Sequence, residues 1–210
     1  MAFDFKKAYK EFYLPARKPE IIKVPAMQYL AFQGTGDPNE EGGPYQRGIT
    51  LLYAVAYTLK MSGRSDHPIE GFFEYVVPPL EGFWWQDGIA GMDYQKKNLL
   101  SFISLIRLPE FIRQEDVAWA KTEVLRKKKL DCSEVELLQF EEGLCVQAMH
   151  IGPFDTEPET VAIMHAFMDA EQYTLDFTQT RRHHEIYLSD PRKVAGTQQK
   201  TVIRHPIRKC

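Results

Sequence analysis

Two glutamates stand in strand-like, aromatic-rich segments, one in each half of the chain. Glu74 lies in the run Phe72–Val77, and Glu185 lies in the run His183–Leu188. A carboxylate in such surroundings can pair with a cationic ligand, or it can act as an acid or base whose pKa is shifted by loss of water. The structural alternative for Glu185 is an exposed residue in a surface ion pair with an arginine nearby in the sequence.

Side chains alternate along a strand, so Glu185 and Tyr187 share one face of their strand and Ile186 and Leu188 share the other. The apolar pair suits packing beneath helices, which would leave Glu185 and Tyr187 facing a cleft. A single bulge would reverse this assignment. The alternation therefore predicts that Glu185 and Tyr187 are site residues.

The same alternation assigns Phe72 and Glu74 of the first half to the cleft. Trp84 and Trp85 form a tandem pair in a turn-rich segment that follows. Neighbouring residues of an extended segment point in opposite directions, so we expect one indole to fill the core and the other to line the site. The alternative is that both are structural. Indole faces bind flat aromatic or cationic groups.

Two other kinds of site are not expected. His183 and His184 are adjacent, so on a strand they face opposite ways and cannot hold one ion, and no third ligand stands at a useful spacing. The turn Gly34-Thr35-Gly36 lacks the third glycine of a dinucleotide-binding fingerprint. The sequence therefore predicts neither a metal site nor a cofactor.

The elements that must position these residues occur twice. Each half reads as strand, glycine-bearing turn, helix, strand, strand, over residues 21–108 and 135–207, and a helix over 114–129 joins the halves. Residues 1–20 are expected to form an N-terminal arm, and residues 21–210 a single domain. This order favours an α+β fold, in which an antiparallel sheet carries helices on one face. Two repeats related by a pseudo-two-fold would leave a ligand cleft on the other face.

Local patterns predict the individual elements. Apolar spacing and breaker residues separate strands from helices along the chain. The predicted strands are Ile21–Phe32, Ile69–Val77, Leu99–Leu108, Arg182–Leu188 and Lys200–Ile207, with a hairpin over Val135–Ile151 around Glu141-Glu142-Gly143. The predicted helices in the two halves run from Pro44 to about Leu59 and from Thr156 to about Glu171.

Composition excludes several partner classes. A formal net charge of -3 over 210 residues provides no basic field for a nucleic acid. The longest apolar run, Ile49–Leu59, is far short of the roughly 20 residues that cross a bilayer, so no membrane association is expected. Three cysteines without a close pair, and an N-terminus without a cleavage signal, favour the cytoplasm.

Three separated motifs resemble the GyrI-like small-molecule-binding family. They are the segment Gly152–Thr160 followed by Met164–Phe167, the segment Glu185–Arg192, and the segment Pro79–Trp85, which is similar to the stand-alone branch without a DNA-binding domain. They occur in the family's order, and the resemblance extends over nearly the whole chain from about Ile21.

The resemblance implies a duplicated strand-helix-strand-strand fold of the SHS2 type, with a ligand cleft at the pseudo-two-fold. In regulator relatives a glutamate on the penultimate strand meets cationic drugs, and Glu185 matches that position. Some members of the stand-alone branch are cyclopropanoid cyclopropyl hydrolases, which use an aromatic cage to open DNA-alkylating products such as yatakemycin and CC-1065. This chain carries Phe102 where the branch commonly has tryptophan, which leaves the cage shape and substrate range open.

Three hypotheses follow from the residues and the resemblance. In the first, the protein hydrolyses the cyclopropane of a planar drug: Glu185 orients or deprotonates a water and Tyr187 is its partner or donates to the dienone oxygen, while Trp84 or Trp85, with Phe102, forms stacking walls. In the second, the protein sequesters planar hydrophobic or cationic molecules without chemistry. In the third, it is an interaction protein of the gyrase-inhibitor type. The physiological ligand and the oligomeric state stay open.

Overall fold

The computed structural model describes residues 2–89, 96–190 and 193–210. The last two residues of the Glu185–Arg192 motif lie outside this description. The fold mixes α-helices with antiparallel strands, as the sequence predicts. The helices are α1 (Phe5–Ala8), α2 (Lys10–Tyr13), α3 (Pro44–Lys60), α4 (Gln114–Lys128) and α5 (Glu157–Ala170). The strands are β1 (Glu20–Thr35), β2 (Leu80–Trp85), β3 (Ser101–Arg107), β4 (Glu136–Ile151), β5 (Tyr173–Leu175), β6 (His183–Tyr187) and β7 (Lys200–Lys209).

One predicted strand is wrong. Residues 69–77 contain no strand, and Tyr75 makes only an isolated parallel bridge to Phe3. The strand is instead β2, in the segment that the sequence had presented as turn-rich. Gly71 has a φ of 76°, in the left-handed region, so the backbone before Phe72 leaves the extended conformation. The aromatic side chains of this segment pack in a cluster: Phe73 lies edge-on to both Phe3 and Phe111.

The predicted hairpin over Val135–Ile151 is also wrong, because β4 is one continuous strand. Gly143 has a φ of 71°, in the left-handed region. The glycine of the Glu141-Glu142-Gly143 segment therefore lies inside a strand rather than in a turn. Glu142 is buried next to this glycine, whereas its neighbour Glu141 is exposed. The glycine that resembled a loop signal in the sequence therefore lies in a strand, and the carboxylate next to it, that of Glu142, is buried.

The first of two compact units contains residues 1–8, 27–78 and 84–140. Here β1 pairs with β3 in antiparallel register from Tyr29↔Arg107 to Thr35↔Ser101, and β3 lies between β1 and β2. Helix α3 packs closely on this sheet, and a Cβ added at Gly48 would overlap the Phe32 ring. None of the helices in the described part of the chain is long and apolar enough to cross a bilayer.

The second unit contains residues 9–26, 79–83 and 141–210. Strand β7 organises it: β7 pairs antiparallel with β4, with β6 and, near its end, with β5. Helix α5 covers one face of this sheet. Apolar side chains from α5, β4 and β7 form the core between them: Met164, Met168, Val146, Ala148, Ile203 and Ile207.

The opposite face of β6 and β7 carries a buried ionic network. His184 donates from Nδ1 to the Glu142 carboxylate at 3.1 Å and from Nε2 to Glu81 Oε2 at 3.0 Å. Arg204 Nη1 donates to Glu142 Oε2 at 2.7 Å, and Tyr13 Oη donates to Glu81 Oε1 at 3.2 Å. Since two carboxylates accept from the two ring nitrogens, His184 must be the imidazolium, and the four ionic groups of the network balance in charge.

Burial and pairing oppose each other in this network. Burial by itself would raise the pKa of Glu142, but the charges of His184 and Arg204 outweigh it and hold that pKa at about 2. Burial would likewise lower the pKa of His184, and the two carboxylates instead raise it. Glu142 therefore stabilises the fold above its unfolded pKa and loses that contribution as the pH falls toward 2.

We expect Glu142→Gln to lower the free energy of unfolding by about 3–5 kcal/mol at pH 7, because it leaves Arg204 and His184 buried without their shared anion. Urea unfolding followed by circular dichroism measures this. Glu141→Gln is the matched control, since its side chain is exposed one residue away, and it should stay within about 0.5 kcal/mol of wild type. Equal losses for the two variants would show that the network does not stabilise the unit.

Candidate functional site

Two buried carboxyl groups meet on the α5 side of the second unit. Glu157 is the first residue of α5 and Glu185 lies in the middle of β6, and their side chains are hydrogen-bonded to each other. Only 2% of Glu157 and 6% of Glu185 are exposed. Burial, and next the charge and hydrogen bond of Glu185, raise the pKa of Glu157 well above its ordinary value. The protonated form is therefore favoured at Glu157.

Three histidines continue the row from Glu185. The Nε2 of His183 lies 2.8 Å from Glu185 Oε1, and its Nδ1 lies 2.6 Å from His205 Nε2. The Nδ1 of His205 lies 2.9 Å from His165 Nε2. His183 and His205 are buried, and His165, on α5, is half-buried. Burial, and next the charge of His183, lower the pKa of His205. Burial also lowers the pKa of His165, although Asp169 acts in the opposite direction.

The predicted alternation along β6 is right, but the predicted direction is wrong. Glu185 pairs across the ladder with Ile203, which belongs to the core beneath α5. The Glu185 face is therefore the helix-covered face, and Ile186 lies on the opposite one. The sequence argument assumed that the helix would cover the apolar side chains, whereas α5 brings its own carboxylate, Glu157, to the Glu185 face. The alternative of an exposed surface ion pair is also wrong, since Glu185 is buried.

Tyr187 follows Glu185 on the same face of β6 and is half-buried. Its ring meets Phe154 edge-on, with the centroids 5.9 Å apart. Phe154 precedes α5 in the Gly152-Pro153-Phe154-Asp155 motif, so that turn and the end of β6 are in contact. Tyr187 thus packs against the turn that leads into α5.

Two of the aromatic candidates belong to the core of the first unit. Trp84 and Phe102 are buried, with ring centroids 5.5 Å apart, and Tyr45 lies 5.2 Å from each of them. Trp85, the next residue of β2, is half-buried. Trp84 is thus the indole that fills the core, and Trp85 is the indole whose role as a wall stays a prediction.

Phe72 and Glu74 line a cavity of about 230 Å³ in the first unit. Glu74 is exposed and pairs with Arg64 at 3.2 Å across this cavity. Lys60, Met61 and Tyr75 are among the other lining residues. The first unit therefore contains a small cavity with charged residues in its lining, and Glu74, unlike Glu185, lies outside any strand.

The sequence argument missed Glu157, His205 and His165. It also expected no further metal ligand at a useful spacing from His183, and the structure contradicts this. One ligand atom each of Glu157, His183 and Glu185 lies within 4.8 Å of the other two. His183 and Glu185 are two residues apart on a strand, which is the spacing that shares a face. Glu157 entered the sequence argument only as part of the Gly152–Thr160 motif, and nothing in its local pattern indicated burial.

A protein-family model matches nearly the whole chain. The model of the GyrI-like small molecule binding domain matches residues 17–208. The chain belongs to this GyrI-like family. The resemblance of the three motifs is thereby confirmed, and the match extends over most of both compact units and includes Glu157, Glu185 and the three histidines.

Solved structures from Listeria innocua are similar over nearly the full length. Two of them are described as hydrolases, and each is 46% identical to this chain. The alignment with the first covers 98% of this chain and 100% of the hydrolase, with a TM-score of 0.90. The alignment with the second covers 99% of this chain and 100% of the hydrolase, with a TM-score of 0.92. The third, an uncharacterized conserved protein, is 47% identical, with 98% and 100% covered and a TM-score of 0.92. No curated protein matches the chain. The likeness therefore extends along the chain rather than to one motif.

We expect Glu157→Gln to stabilise the protein more at pH 8 than at pH 5. A carboxyl whose folded pKa lies above its unfolded pKa binds more protons in the folded state, so stability falls as the pH rises between the two. Glutamine copies the protonated form and has no such loss. Thermal unfolding at the two pH values measures the difference from wild type.

Glu159→Gln is the control, because Glu159 is exposed two residues further along α5. Its difference from wild type should be the same at both pH values. A Glu157→Gln variant whose advantage shrinks at pH 8 would mean that Glu157 is ionised in the folded protein.

Proposed function

We propose that the protein is a small-molecule hydrolase that opens the strained cyclopropane of planar, DNA-alkylating drugs, with Glu185 as the base that activates water. The observation that carries the proposal is the buried pair of Glu157 and Glu185, whose side chains are hydrogen-bonded to each other and in which the pKa of Glu157 is raised. Two adjoining carboxyl groups, one of them with a raised pKa, are typical of acid–base sites. A buried pair of this kind costs stability, which argues for a chemical role.

The reaction needs little covalent work from the protein. Water attacks the ring carbon, a C–O bond forms, and the strained C–C bond breaks with its electron pair moving through the dienone to the oxygen, which becomes a phenolate. Glu185 takes one proton from the water, and the phenolate oxygen gains one proton, so product equals substrate plus water. Tyr187 is the proposed donor near the developing negative charge. Orientation of water and substrate supplies much of the rate.

Glu157 is the proposed partner of the base. Its raised pKa favours the protonated form, which donates a hydrogen bond to Glu185 and orients that carboxyl group. The names of the two Listeria hydrolases, at 46% identity over nearly the whole chain, support a hydrolytic role for this chain. The drug class itself comes from the resemblance to the stand-alone branch.

The aromatic wall is the second part of the proposal. Trp85 is the proposed stacking face, whereas its neighbour Trp84 packs with Phe102 in the core. An indole face contributes on the order of 1 kcal/mol against a flat or cationic ligand. Phe72 and Glu74 are retained as proposed ligand contacts at their cavity. The proposed ligand is a planar hydrophobic or cationic molecule, not a nucleic acid.

The proposal keeps the finer fold prediction as well. The element order β1, α3, β2, β3 and then β4, α5, β6, β7, with β5 added, supports two repeats around a pseudo-two-fold. A single GyrI-like domain over 21–210, working in the cytoplasm on xenobiotics, is part of the same proposal.

A sequestering module without chemistry is the second candidate. The family description itself, a small molecule binding domain, favours it. In that case Glu185 would serve as the anion that pairs with a cationic drug, and the protein would bind one equivalent without releasing product. The two candidates differ in whether product accumulates beyond the amount of protein.

We expect product to accumulate over many turnovers when a cyclopropanoid drug is in excess of the wild-type protein. Glu185→Gln should lower kcat by about 10²- to 10⁴-fold with little change in affinity, because it keeps the shape and removes the base. Trp85→Ala should instead weaken binding first, since it removes a stacking face. Chromatography of product against time and titration of drug fluorescence measure the two quantities.

Two controls separate the outcomes. A chelator should leave kcat unchanged, because no proposed step uses a metal. Loss of activity with EDTA and recovery with a divalent ion would show that a metal ion, rather than a proton, lies between Glu157 and Glu185. Product formation no faster than the uncatalysed background would remove the hydrolase proposal for this drug class. Weaker binding of a cationic drug to Glu185→Gln, together with that result, would establish the sequestering module.

A further inference from the structure

A nitrogen ligand lies beside the carboxyl pair of Glu157 and Glu185. One ligand atom each of Glu157, His183 and Glu185 lies within 4.8 Å of the other two. All three residues are buried, with 2% of Glu157 and 6% of each of the others exposed. Glu157 begins α5, whereas His183 and Glu185 stand two residues apart on β6. Helix and strand thus bring together three ligands, which is the number that zinc takes from the protein in its open sites.

One oxygen of this group has no hydrogen-bond partner among the residues that the structure describes. It is Oε1 of Glu157, and it is buried. The same side chain is hydrogen-bonded to Glu185, so the oxygen belongs to a carboxyl that already meets the cluster. A buried acceptor without a donor is the kind of atom that a bound cation satisfies. The unpartnered oxygen is therefore a second sign of a ligand, separate from the clustering of the three residues.

The ring of His183 is already held as a metal-binding histidine is held. Its Nε2 lies 2.8 Å from Glu185 Oε1, and its Nδ1 lies 2.6 Å from Nε2 of the buried His205. A histidine ligand usually has its second ring nitrogen hydrogen-bonded to an outer partner, which fixes the orientation of the ring. An ion on Nε2 requires the hydrogen on Nδ1, from which His183 donates to His205. His205 is thus the outer partner of the site.

Charge and ligand type indicate which ion fits. Two carboxylates and a neutral imidazole around a divalent cation carry no net charge, which suits a buried site. Imidazole and carboxylate together suit zinc and its neighbours in the first transition row. Ca²⁺ takes about six to eight oxygen ligands, and Mg²⁺ keeps several waters. Three buried ligands, one of them a nitrogen, therefore favour Zn²⁺ or Co²⁺ over Mg²⁺ and Ca²⁺.

The distances require small movements only. Zinc lies about 2.0–2.2 Å from nitrogen and oxygen ligands, so two ligands of a tetrahedral ion are about 3.3 Å apart. The contact of 2.8 Å between His183 Nε2 and Glu185 Oε1 must therefore widen by about half an ångström. A rotation of the glutamate side chain supplies this. The remaining ligand atoms start no further apart than 4.8 Å.

We propose that Glu157, His183 and Glu185 form a binding site for a divalent transition-metal ion of the zinc type, and that His205 is a positioning residue which holds the His183 ring toward the ion. The bound ion uses the lone pairs with which Glu185 would take a proton from water, so it inhibits the proposed hydrolysis. The inhibition rests on the proposed function, whereas the binding of the ion does not.

Equilibrium dialysis against ZnCl₂, with the metal counted by elemental analysis, tests the site without any substrate. Cys210 is exposed and can bind zinc itself, so every protein carries Cys210→Ser and is first stripped with EDTA. We expect one Zn²⁺ per chain with the three ligands intact, and no comparable uptake of Mg²⁺. Dialysis is preferred to a rapid titration because the ligands are buried.

Two ligand variants and one outer variant should form a graded series. His205→Leu should weaken Zn²⁺ binding by about 10- to 100-fold, the usual effect of losing an outer partner. Glu157→Gln and His183→Gln each remove a ligand and should weaken binding by more than about 100-fold, beyond that range. Glutamine copies the protonated carboxyl of Glu157, so Glu157→Gln keeps the fold and its loss of zinc is not a loss of structure.

His150→Gln is the matched control, since His150 is a buried histidine of the same unit that is hydrogen-bonded to Thr160 and Pro153 instead. It should bind Zn²⁺ as tightly as the protein with all ligands. Zn²⁺ should also raise the thermal unfolding temperature of the control but not that of Glu157→Gln, because only an ion that binds the folded state stabilises it. With Co²⁺ as the probe, the visible absorption of a four-coordinate ion should follow the same order.

Equal Zn²⁺ uptake by the two ligand variants and the control would overturn the site, and so would the absence of uptake by the control. In the turnover assay Zn²⁺ should lower product formation from a cyclopropanoid drug, and EDTA should restore it. A kcat that rises with Zn²⁺ would overturn the inhibition. If the metal-free protein shows no turnover, the hydrolase proposal fails, and the dialysis result alone decides the metal site.

Discussion

The register between β6 and β7 is the constraint on which the second unit depends. It places His184 opposite Arg204, Glu185 opposite Ile203, and Ile186 opposite Val202. Because side chains alternate, one face of this two-stranded ladder carries an ion network that balances in charge, and the other carries Glu185 and two histidines within hydrogen-bond distance of one another. The first face stabilises the fold and the second presents the candidate chemistry, and both arise from one set of backbone hydrogen bonds.

The two faces treat burial in opposite ways. On the His184 face each charge meets a counter-charge, so desolvation is offset and the pKa of Glu142 falls to about 2. On the Glu185 face two carboxyls meet each other, so burial keeps one of them neutral and the pKa of Glu157 rises. The same residue type is thus an anion on one side of the sheet and an acid on the other, and the neighbours alone decide which.

Sequence reasoning located most elements, because their signals are local. Pro44 at the start of α3, the apolar spacing in α3 and α5, and the β-branched and aromatic content of β6 and β7 all predict structure within a short window. It failed at Gly143 and over 69–77, where a glycine inside a strand resembled a turn and an aromatic cluster resembled a strand. It singled out Glu185, which is buried, but it assigned Glu185 to the face away from the helix. It could not find Glu157 and His205, because their roles come from contacts between distant segments, which no local period encodes.

The shared ladder has a consequence for how this sequence can change over evolutionary time. Inserting or deleting a single residue within β6 or β7 would slip the register by one and exchange the two faces. Arg204 and Glu142 would lose their partners in the same event that removed Glu185 from Glu157, so one such lesion would abolish stability and chemistry together. Length variation in this unit should therefore be confined to the connections that flank β6, and the spacing between His183 and Glu185 and that between Arg204 and His205 should be invariant in every functional descendant.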